Sequence, residues 1–314
     1  MAESTITQGK LNIEQVVYNG LIWVNIEKPT PRETEYLAQN YPFHPLDLDD
    51  CLSRIQRPKI DEYEDYLFIV LHFPLFSAEA RVTIPSQVSI FISNDYIITL
   101  HAGDLKPLVK LFRECQLNEE TCRDNMKSTG YLLYRIVDRL IDYCLPITNK
   151  IMANIEKVED DIFDTTERGT VKEISILRRD IIAFRRIIWP MRAVISTLER
   201  KTKHITRRED MEVYWGDLID HVDKIWDTLD ECKEIIEGLK DTNDSLYSHQ
   251  TTEVMRVLTI IATIMMPLTL VASIYGMNIP LPGEGRDISF LVILIVMIVV
   301  IGAMLYLFRR RRWI

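Results

Sequence analysis

The sequence predicts a membrane protein in which an N-terminal α/β domain is followed by long stalk helices and two C-terminal transmembrane helices. Two observations lead to this fold class. Charged residues are concentrated in 1–250 of the 314-residue chain, whereas 257–308 are almost uncharged and contain two long apolar runs. Before residue 103, short β-branched and aromatic runs alternate with short helical ones, which is typical of an α/β domain.

The α/β domain is predicted at residues 1–125. Four runs rich in β-branched and aromatic residues predict strands at 21–26, 66–73, 87–93 and 96–101. Asn94 and Asp95 form the predicted turn between the last two strands. Pro and Asp residues near the starts of two further segments predict short helices at 30–41 and 44–52. No catalytic loop is recognisable in this domain.

The helical stalk is predicted at residues 126–253. Its first two helices, over 130–166 and 171–203, are expected to be an antiparallel pair separated by a break near Gly169. A third helix starts near Arg208 and meets no strong breaker before Pro267. If this helix is continuous to the end of the first apolar run, it is about 100 Å long at 1.5 Å per residue. It would then join the N-terminal domain to the membrane.

The third helix carries one apolar and one acidic row. Apolar residues repeat in alternating four- and three-residue steps, as in a coiled coil or bundle, at Leu218, Val222, Ile225, Leu229, Cys232, Ile236 and Leu239. The acidic row follows similar steps on the roughly opposite face, at Asp220, Asp223, Asp227, Asp230, Glu234, Glu237, Asp241 and Asp244. Two interpretations of the acidic row remain open: a solvated outer face, or a surface that concentrates or senses cations.

The transmembrane domain is predicted at residues 254–314, with spans at about 257–275 and 288–308. Both runs match the roughly 20 residues that a helix needs to cross the hydrocarbon core. Four consecutive arginines, 309–312, directly follow the second span and mark the cytoplasmic side. We therefore expect a multi-pass protein of the cell (inner or plasma) membrane, with both termini in the cytoplasm. The N-terminus shows no cleavable signal pattern.

The first span carries a stripe of small and weakly polar residues, again in three–four steps: Met255, Thr259, Ala262, Met266, Thr269, Ser273 and Gly276. Such a stripe is explained equally well by close helix packing in lipid and by a pore lining. A pore requires an oligomer, because one helix cannot enclose it. The second span is apolar on nearly all sides, which suits an outer helix facing lipid.

Composition and motifs exclude several functional classes. The net charge of −9 argues against a nucleic-acid partner. No phosphate-binding glycine loop, HExxH or GxSxG motif occurs, so we predict that the protein is not an enzyme and uses no organic cofactor. Five cysteines without CxxC spacing predict reduced thiols in the cytosol.

The tripeptide Gly276-Met277-Asn278 follows the first span and precedes a short loop and a terminal basic span. In this position the chain resembles the CorA family of magnesium and cobalt channels, and "QRPKIDEYEDYLFIVL" and "IWPMR" are similar to family segments. The resemblance implies a homopentameric funnel in the bilayer that conducts Mg²⁺, Co²⁺ and, as a further candidate, Ni²⁺. Influx is expected to be passive, driven by the membrane potential, and closed by cytosolic Mg²⁺.

The resemblance also implies roles for individual residues. Gly276, Met277 and Asn278 would form the selectivity filter, with the Asn278 side-chain oxygens binding a hydrated cation. The pore would be lined, from the cytosolic mouth outward, by Asp241, Thr252, Leu258, Thr259, Ala262, Met266, Thr269 and Ser273, of which Leu258 and Met266 would form the constriction. A regulatory metal site between protomers would use Asp217, with Asp220 close by and Glu79 as the candidate partner acid.

Some positions depart from the family pattern, and two alternative functions follow. Thr252 stands where a relative carries asparagine, and the outer loop "IPLPGEGRD" lacks Met-Pro-Glu-Leu, although Glu284 supplies a negative charge there. One alternative is a zinc transporter of the same superfamily, which usually carries Gly-Ile-Asn, so that Met277 favours magnesium. The other is a non-conducting, membrane-anchored scaffold or sensor, in which Asn278 would have no role.

Overall fold

The computed structural model describes residues 11–53, 56–164, 169–205, 211–277, 287–311 and 313. The chain separates into two compact units, Met1–Lys240 and Asp241–Ile314. The three-part division at 1–125, 126–253 and 254–314 rests on the chemical character of the sequence and stays a prediction.

The first unit begins with an α/β domain, as predicted. Its strands are β1 (Ile13–Tyr18), β2 (Leu21–Glu27), β3 (Lys59–Glu62), β4 (Leu67–Ser77), β5 (Val82–Ile92) and β6 (Tyr96–His101). The helices up to the first long one are α1 (Pro31–Asn40), α2 (Pro45–Leu52), α3 (Lys106–Leu117), α4 (Glu119–Asn125) and α5 (Thr129–Asp142). The remaining helices are α6 (Cys144–Asp164), α7 (Thr170–Ile205), α8 (Glu212–Tyr275) and α9 (Asp287–Arg310).

The six strands form one mixed sheet in the order β1-β2-β6-β5-β4-β3. Among the described strands, only the neighbours β2 and β6 are parallel, and the other neighbours are antiparallel. Sequence analysis found the four inner strands and missed the two edges, β1 and β3. Both edge strands carry charged or polar residues and lack a fully buried face, so that neither shows the apolar run of a central strand.

Two apolar cores cover opposite faces of the sheet. On one face α1 and α2 contribute Leu37, Leu48 and Cys51, which pack with strand residues such as Phe68 and Phe91. On the other face α3 contributes Leu108 and Phe112, and this core continues through α5, α6, α7 and α8. The sheet is therefore tied to the helices of the stalk by a continuous apolar core.

A chain of buried hydrogen bonds links the parallel strands. The Trp23 indole N–H donates to Thr99 Oγ1 over 3.2 Å, and that hydroxyl donates to Asn25 Oδ1 over 2.8 Å. The Gly103 backbone N–H donates to Nδ1 of His101, so His101 Nε2 carries the proton that faces Asn25 Oδ1 at 3.0 Å. Burial lowers the pKa of His101 to about 4, against the effect of nearby Asp104, so the imidazole is neutral at physiological pH.

The predicted helix over 130–166 is wrong in one respect: it is two helices, α5 and α6, which meet at Tyr143. Pro146 explains the interruption. A proline in a helix interior lacks the N–H that would bond the carbonyl four residues earlier, here Asp142, and its ring clashes with that carbonyl. The predicted break near Gly169 lies mostly outside the described residues, and α7 begins at Thr170 as expected.

The third stalk helix is continuous from Glu212 to Tyr275, and its predicted start near Arg208 lies outside the described residues. Helix α8 contains 64 residues and passes through Pro267 without ending. All seven residues of its apolar row are buried, with exposures of 0–7%: Leu218, Val222, Ile225, Leu229, Cys232, Ile236 and Leu239. The five cysteines are free and buried, in agreement with reduced thiols.

The buried His101 predicts an acid-dependent loss of stability. Its pKa is lower in the folded state than the usual value near 6.5, so the unfolded chain binds more protons between about pH 6.5 and 4. Stability contributed by this residue is present above pH 6.5 and is lost as the pH falls, by at most about 1.4 kcal/mol per pH unit. The measurement is the thermal unfolding midpoint of the purified full-length protein as a function of pH.

His101→Gln should weaken this pH dependence, and His249→Gln provides the matched control because His249 is exposed on α8. A pH dependence that is the same in wild type and His101→Gln would contradict the assignment.

Candidate metal-ion sites and conduction path

Two helices of the described chain are long and apolar enough to cross a membrane. They contain the predicted spans: α8, whose apolar window has a mean hydropathy of 2.3, and α9, with 3.2. Within the chain only 6% of the first window and none of the second is buried. Apolar surfaces of this extent require lipid or another protein surface to cover them.

The predicted pore-lining residues of the first span are exposed in the single chain. Leu258 and Met266, the predicted constriction, are 61% and 77% exposed, and Ile260 is buried at 8%. Thr252, Thr259, Ala262, Thr269 and Ser273 are likewise exposed, as is Asp241 near the start of the second unit. The exposed stripe is therefore available to line a pore or to pack against a neighbouring helix.

The threonine hydroxyls of this stripe are oriented by their own helix. Thr252, Thr259 and Thr269 each donate to the backbone carbonyl four residues earlier, over 2.9, 2.7 and 2.7 Å. Because each hydroxyl proton is already used, the oxygen lone pairs remain free to accept hydrogen bonds. Outward-facing acceptors of this kind suit the water shell of a hydrated cation.

The helix ends at the predicted filter. The Gly276 N–H donates to Ala272 O over 2.9 Å, and the Met277 N–H donates to Ile274 O over 3.3 Å. A Cβ on Gly276 would lie 3.2 Å from Ala272 O, so this position favours glycine because of close backbone approach. Met277 is 55% exposed in the described part of the chain. Asn278 and Glu284 lie outside the described residues.

A group of potential metal ligands surrounds Asp217 in the first unit. Ligand atoms of Asp138, Asp217 and His221 all lie within 4.8 Å of one another. Asp138 belongs to α5 and is 8% exposed, and the other two occupy successive turns of α8. Two carboxylates and one imidazole form a ligand set that accepts divalent cations, with the imidazole favouring transition metals over Mg²⁺.

The buried member of this group, Asp138, lies among other charged side chains. Burial raises the pKa of Asp138, and neighbouring Asp142 raises it further, against the effect of Arg135. Arg135 donates to Asp138 over 2.8 Å, and His221 Nε2 lies 3.8 Å from Asp217. The buried Nδ1 atom of His221 has no hydrogen-bond partner among the described residues. A bound cation would compensate the crowded carboxylates.

The ligand group differs from the one expected from the sequence. Asp217 belongs to it, but neither Asp220 nor Glu79 does within one chain. Glu79 lies in the exposed turn between β4 and β5, beside Arg81, which pairs with Glu173 of α7 over 2.6 Å. Sequence reasoning missed Asp138, although an acid among the buried apolar residues of an amphipathic helix is itself a signal.

The acidic row of α8 is divided between two environments. Asp223, Asp230 and Glu237 pair with Arg192, Arg185 and Arg178 of α7, whereas Asp220, Asp227, Glu234 and Asp241 are exposed. Neither interpretation of the sequence included these arginines. Their spacing of seven residues in α7, which matches the spacing of their partners, was the available signal.

Comparisons with known proteins agree with these features. The family model described as CorA-like Mg²⁺ transporter protein matches residues 18–310. The cobalt/magnesium transport protein CorA of Thermotoga maritima is 33% identical over 296 residues, which cover 93% of this chain and 83% of that protein. The zinc transport protein ZntB of Yersinia pseudotuberculosis is 21% identical over 296 residues, covering 93% and 88%.

A solved structure shows the same fold. The complete structure of the CorA magnesium transporter from Methanocaldococcus jannaschii superposes with a TM-score of 0.82 at 25% identity, covering 96% of this chain and 94% of that one. The α/β domain, the long helix and the C-terminal apolar helix all fall within the superposed region. The family match over most of the sequence, together with this fold, shows that the chain is a membrane metal-ion transporter rather than an enzyme and belongs to the CorA-like Mg²⁺ transporter family.

Proposed function

We propose that this protein is a passive channel for Mg²⁺ that also admits Co²⁺ and Ni²⁺. The observation that carries the proposal is the exposed, weakly polar stripe of the first span, which leads directly to Gly276 and Met277. In a homopentamer, five such stripes surround one axis and Asn278 forms a ring at the end of the path. The membrane potential drives influx, and both termini lie in the cytoplasm.

The path conducts hydrated ions. Mg²⁺ releases its water ligands reluctantly, so neutral acceptors that bind the hydration shell cost less than direct coordination. The hydroxyl lone pairs of Thr252, Thr259 and Thr269 and the amide oxygen of Asn278 supply such acceptors. Leu258 and Met266 form the constriction of this path. The Asp241 carboxylates attract cations to its cytosolic mouth. The neutrality of Asn278 allows an ion to bind without being trapped.

Cytosolic Mg²⁺ closes the channel by binding at Asp217. The described residues that support this part of the proposal are Asp138 and His221, which complete a ligand group with Asp217 inside one chain. Asp220 and Glu79 remain candidate contributors from a neighbouring protomer. A metal that binds the closed state more tightly than the open state shifts the population toward closure.

Zinc is the second candidate cargo, and one observation favours it. His221 adds an imidazole to the two carboxylates, and Zn²⁺ or Co²⁺ binds imidazole better than Mg²⁺ does. The similarity to a zinc transport protein is lower than that to the cobalt/magnesium transport protein, at 21% against 33% identity. The non-conducting scaffold is disfavoured by membership of a transporter family.

Asn278→Ala should reduce Mg²⁺ influx at least tenfold, because it removes every side-chain acceptor from the filter ring. The measurement is Mg²⁺ entry into proteoliposomes that contain the purified protein and an internal fluorescent indicator. Asn243→Ala makes the same chemical change in the cytosolic part of α8 and should conduct like wild type. Absence of wild-type flux would refute the channel, and an unchanged flux in Asn278→Ala would refute the role of Asn278.

Asp217→Asn should raise the Mg²⁺ concentration needed to stabilise the protein against heat by roughly tenfold, equivalent to about 1.4 kcal/mol. Asp217 is exposed, so the substitution does not disturb the core. The measurement is the thermal unfolding midpoint over a Mg²⁺ titration, with Glu231→Gln, an exposed acid of the same helix, as the control. Equal titration curves for Asp217→Asn and wild type would refute a metal site at Asp217.

A further inference from the structure

Helices α7 and α8 are joined by ion pairs that run antiparallel, and each helix contributes an apolar row to the same buried core. On α7 the buried residues follow three–four steps: Leu177, Ile181, Phe184, Ile188, Met191, Ile195 and Leu198. The buried row of α8 repeats in the same steps, from Leu218 to Leu239. Two rows with the same repeat can pack in more than one axial register, because a shift of one turn again places apolar residues on the contact face.

Three ion pairs join the two helices and define the present register. Arg192 binds Asp223 through two hydrogen bonds, one of them 2.9 Å long. Arg185 approaches Asp230 to 2.6 Å, and Arg178 approaches Glu237 to 3.9 Å. The arginines and their acids are both spaced by seven residues and run in opposite directions, so the three pairs form an antiparallel ladder.

The arginine of the middle pair is the least exposed of the three. The Arg185 side chain is 18% exposed, and its guanidinium lies 4.4 Å from the centre of the Trp226 ring. Trp226 in turn contacts Trp189 of α7, with ring centres 4.8 Å apart. A guanidinium between a carboxylate and an aromatic face has a defined position, so this pair reports directly on the register of the two helices.

A second set of acids lies one turn further along α8. Asp227 and Glu234 follow the resident partners Asp223 and Asp230 by four residues, are exposed, and form no ion pair among the described residues. Asp223 is the main cause of the raised pKa of the Arg192 guanidinium, and Asp227 contributes to it as well. Asp227 is thus already close enough to Arg192 to act on it.

We propose that the Arg185 and Arg192 ladder has two registers: the present one, with Asp230 and Asp223, and a second one, with Glu234 and Asp227, reached by an axial shift of α8 along α7. The shift corresponds to one helical turn, about 5.4 Å. One-turn displacements between packed elements are an established form of switching. The proposal rests on the proposed function in one respect: since α8 also contains the first span, the register is the device that couples the N-terminal unit to the pore helix.

The experiment measures the register without measuring transport. Spin labels are placed at Arg200→Cys on α7 and Glu231→Cys on α8, both exposed positions that lie well apart along the helix axes, in the full-length protein in liposomes. Labelled subunits are diluted with unlabelled ones, so that the distance within one chain dominates. We expect two label distances that differ by about 5 Å, with populations that change between saturating Mg²⁺ and a chelator.

Two double substitutions of equal charge change separate the registers. Asp223→Asn with Asp230→Asn removes the resident partners and should populate the second distance. Asp227→Asn with Glu234→Gln removes the alternative partners and should populate the first distance under both conditions. The proposal is overturned by one and the same distance in wild type and both variants, or by a shift of both variants in the same direction.

The outcome is distinguishable from that of the proposed function. Two label distances that respond to the substitutions as expected, in a protein without Mg²⁺ flux, would support the ladder and contradict the channel. Normal flux with a single label distance would do the reverse.

Discussion

The burial of the apolar row of α8 in the core of the first unit is the constraint on which the other features of that unit depend. Burying the seven apolar residues of α8 determines the rotation of that helix about its own axis. Once this rotation is set, Asp223 and Asp230 face the arginines of α7, while Asp227 and Glu234 face outward. The same rotation places Asp217 and His221 beside Asp138 of α5. The positions of the polar groups therefore follow from the apolar packing. Burial of the apolar row contributes more free energy to folding than exposed ion pairs do.

Helix α8 has an acidic part suited to water and an apolar part suited to a membrane. Over its acidic part, charged side chains are hydrated or paired, and exposed pairs contribute little to stability. Over its apolar part, the threonine hydroxyls donate to carbonyls of their own helix, as Thr228 does in the acidic part. Pro267 is tolerated there because a spanning helix can rearrange its bonds locally. The resulting surface is apolar except for outward lone pairs, which is the chemistry that a path for hydrated cations requires.

In the ligand group at Asp217, neighbouring groups act in opposite directions on the charge of Asp138. Asp138 is nearly buried and crowded by Asp142, which disfavours its charged form. Arg135 offsets part of this cost, and a divalent cation would offset the remainder. Metal binding at this group would therefore also stabilise the fold. The group also shows why an exposed acidic row is a poor guide to a metal site: Asp220 is acidic and exposed, yet it is outside the group.

The sequence by itself determined the parts that depend on local periodicity and composition. These are the inner strands, the long third helix with its buried row, the two spans and the position of Gly276-Met277-Asn278. The sequence did not predict the edge strands β1 and β3, whose polar pattern is weak. It also did not predict the boundary between α5 and α6, which Pro146 explains. Only the tertiary structure decided which charges meet. Asp138 and Asp217 are 79 positions apart, and Arg192 and Asp223 are 31 apart. Helical repeats show which face a residue occupies, but they do not show which other helix packs against that face or in which register.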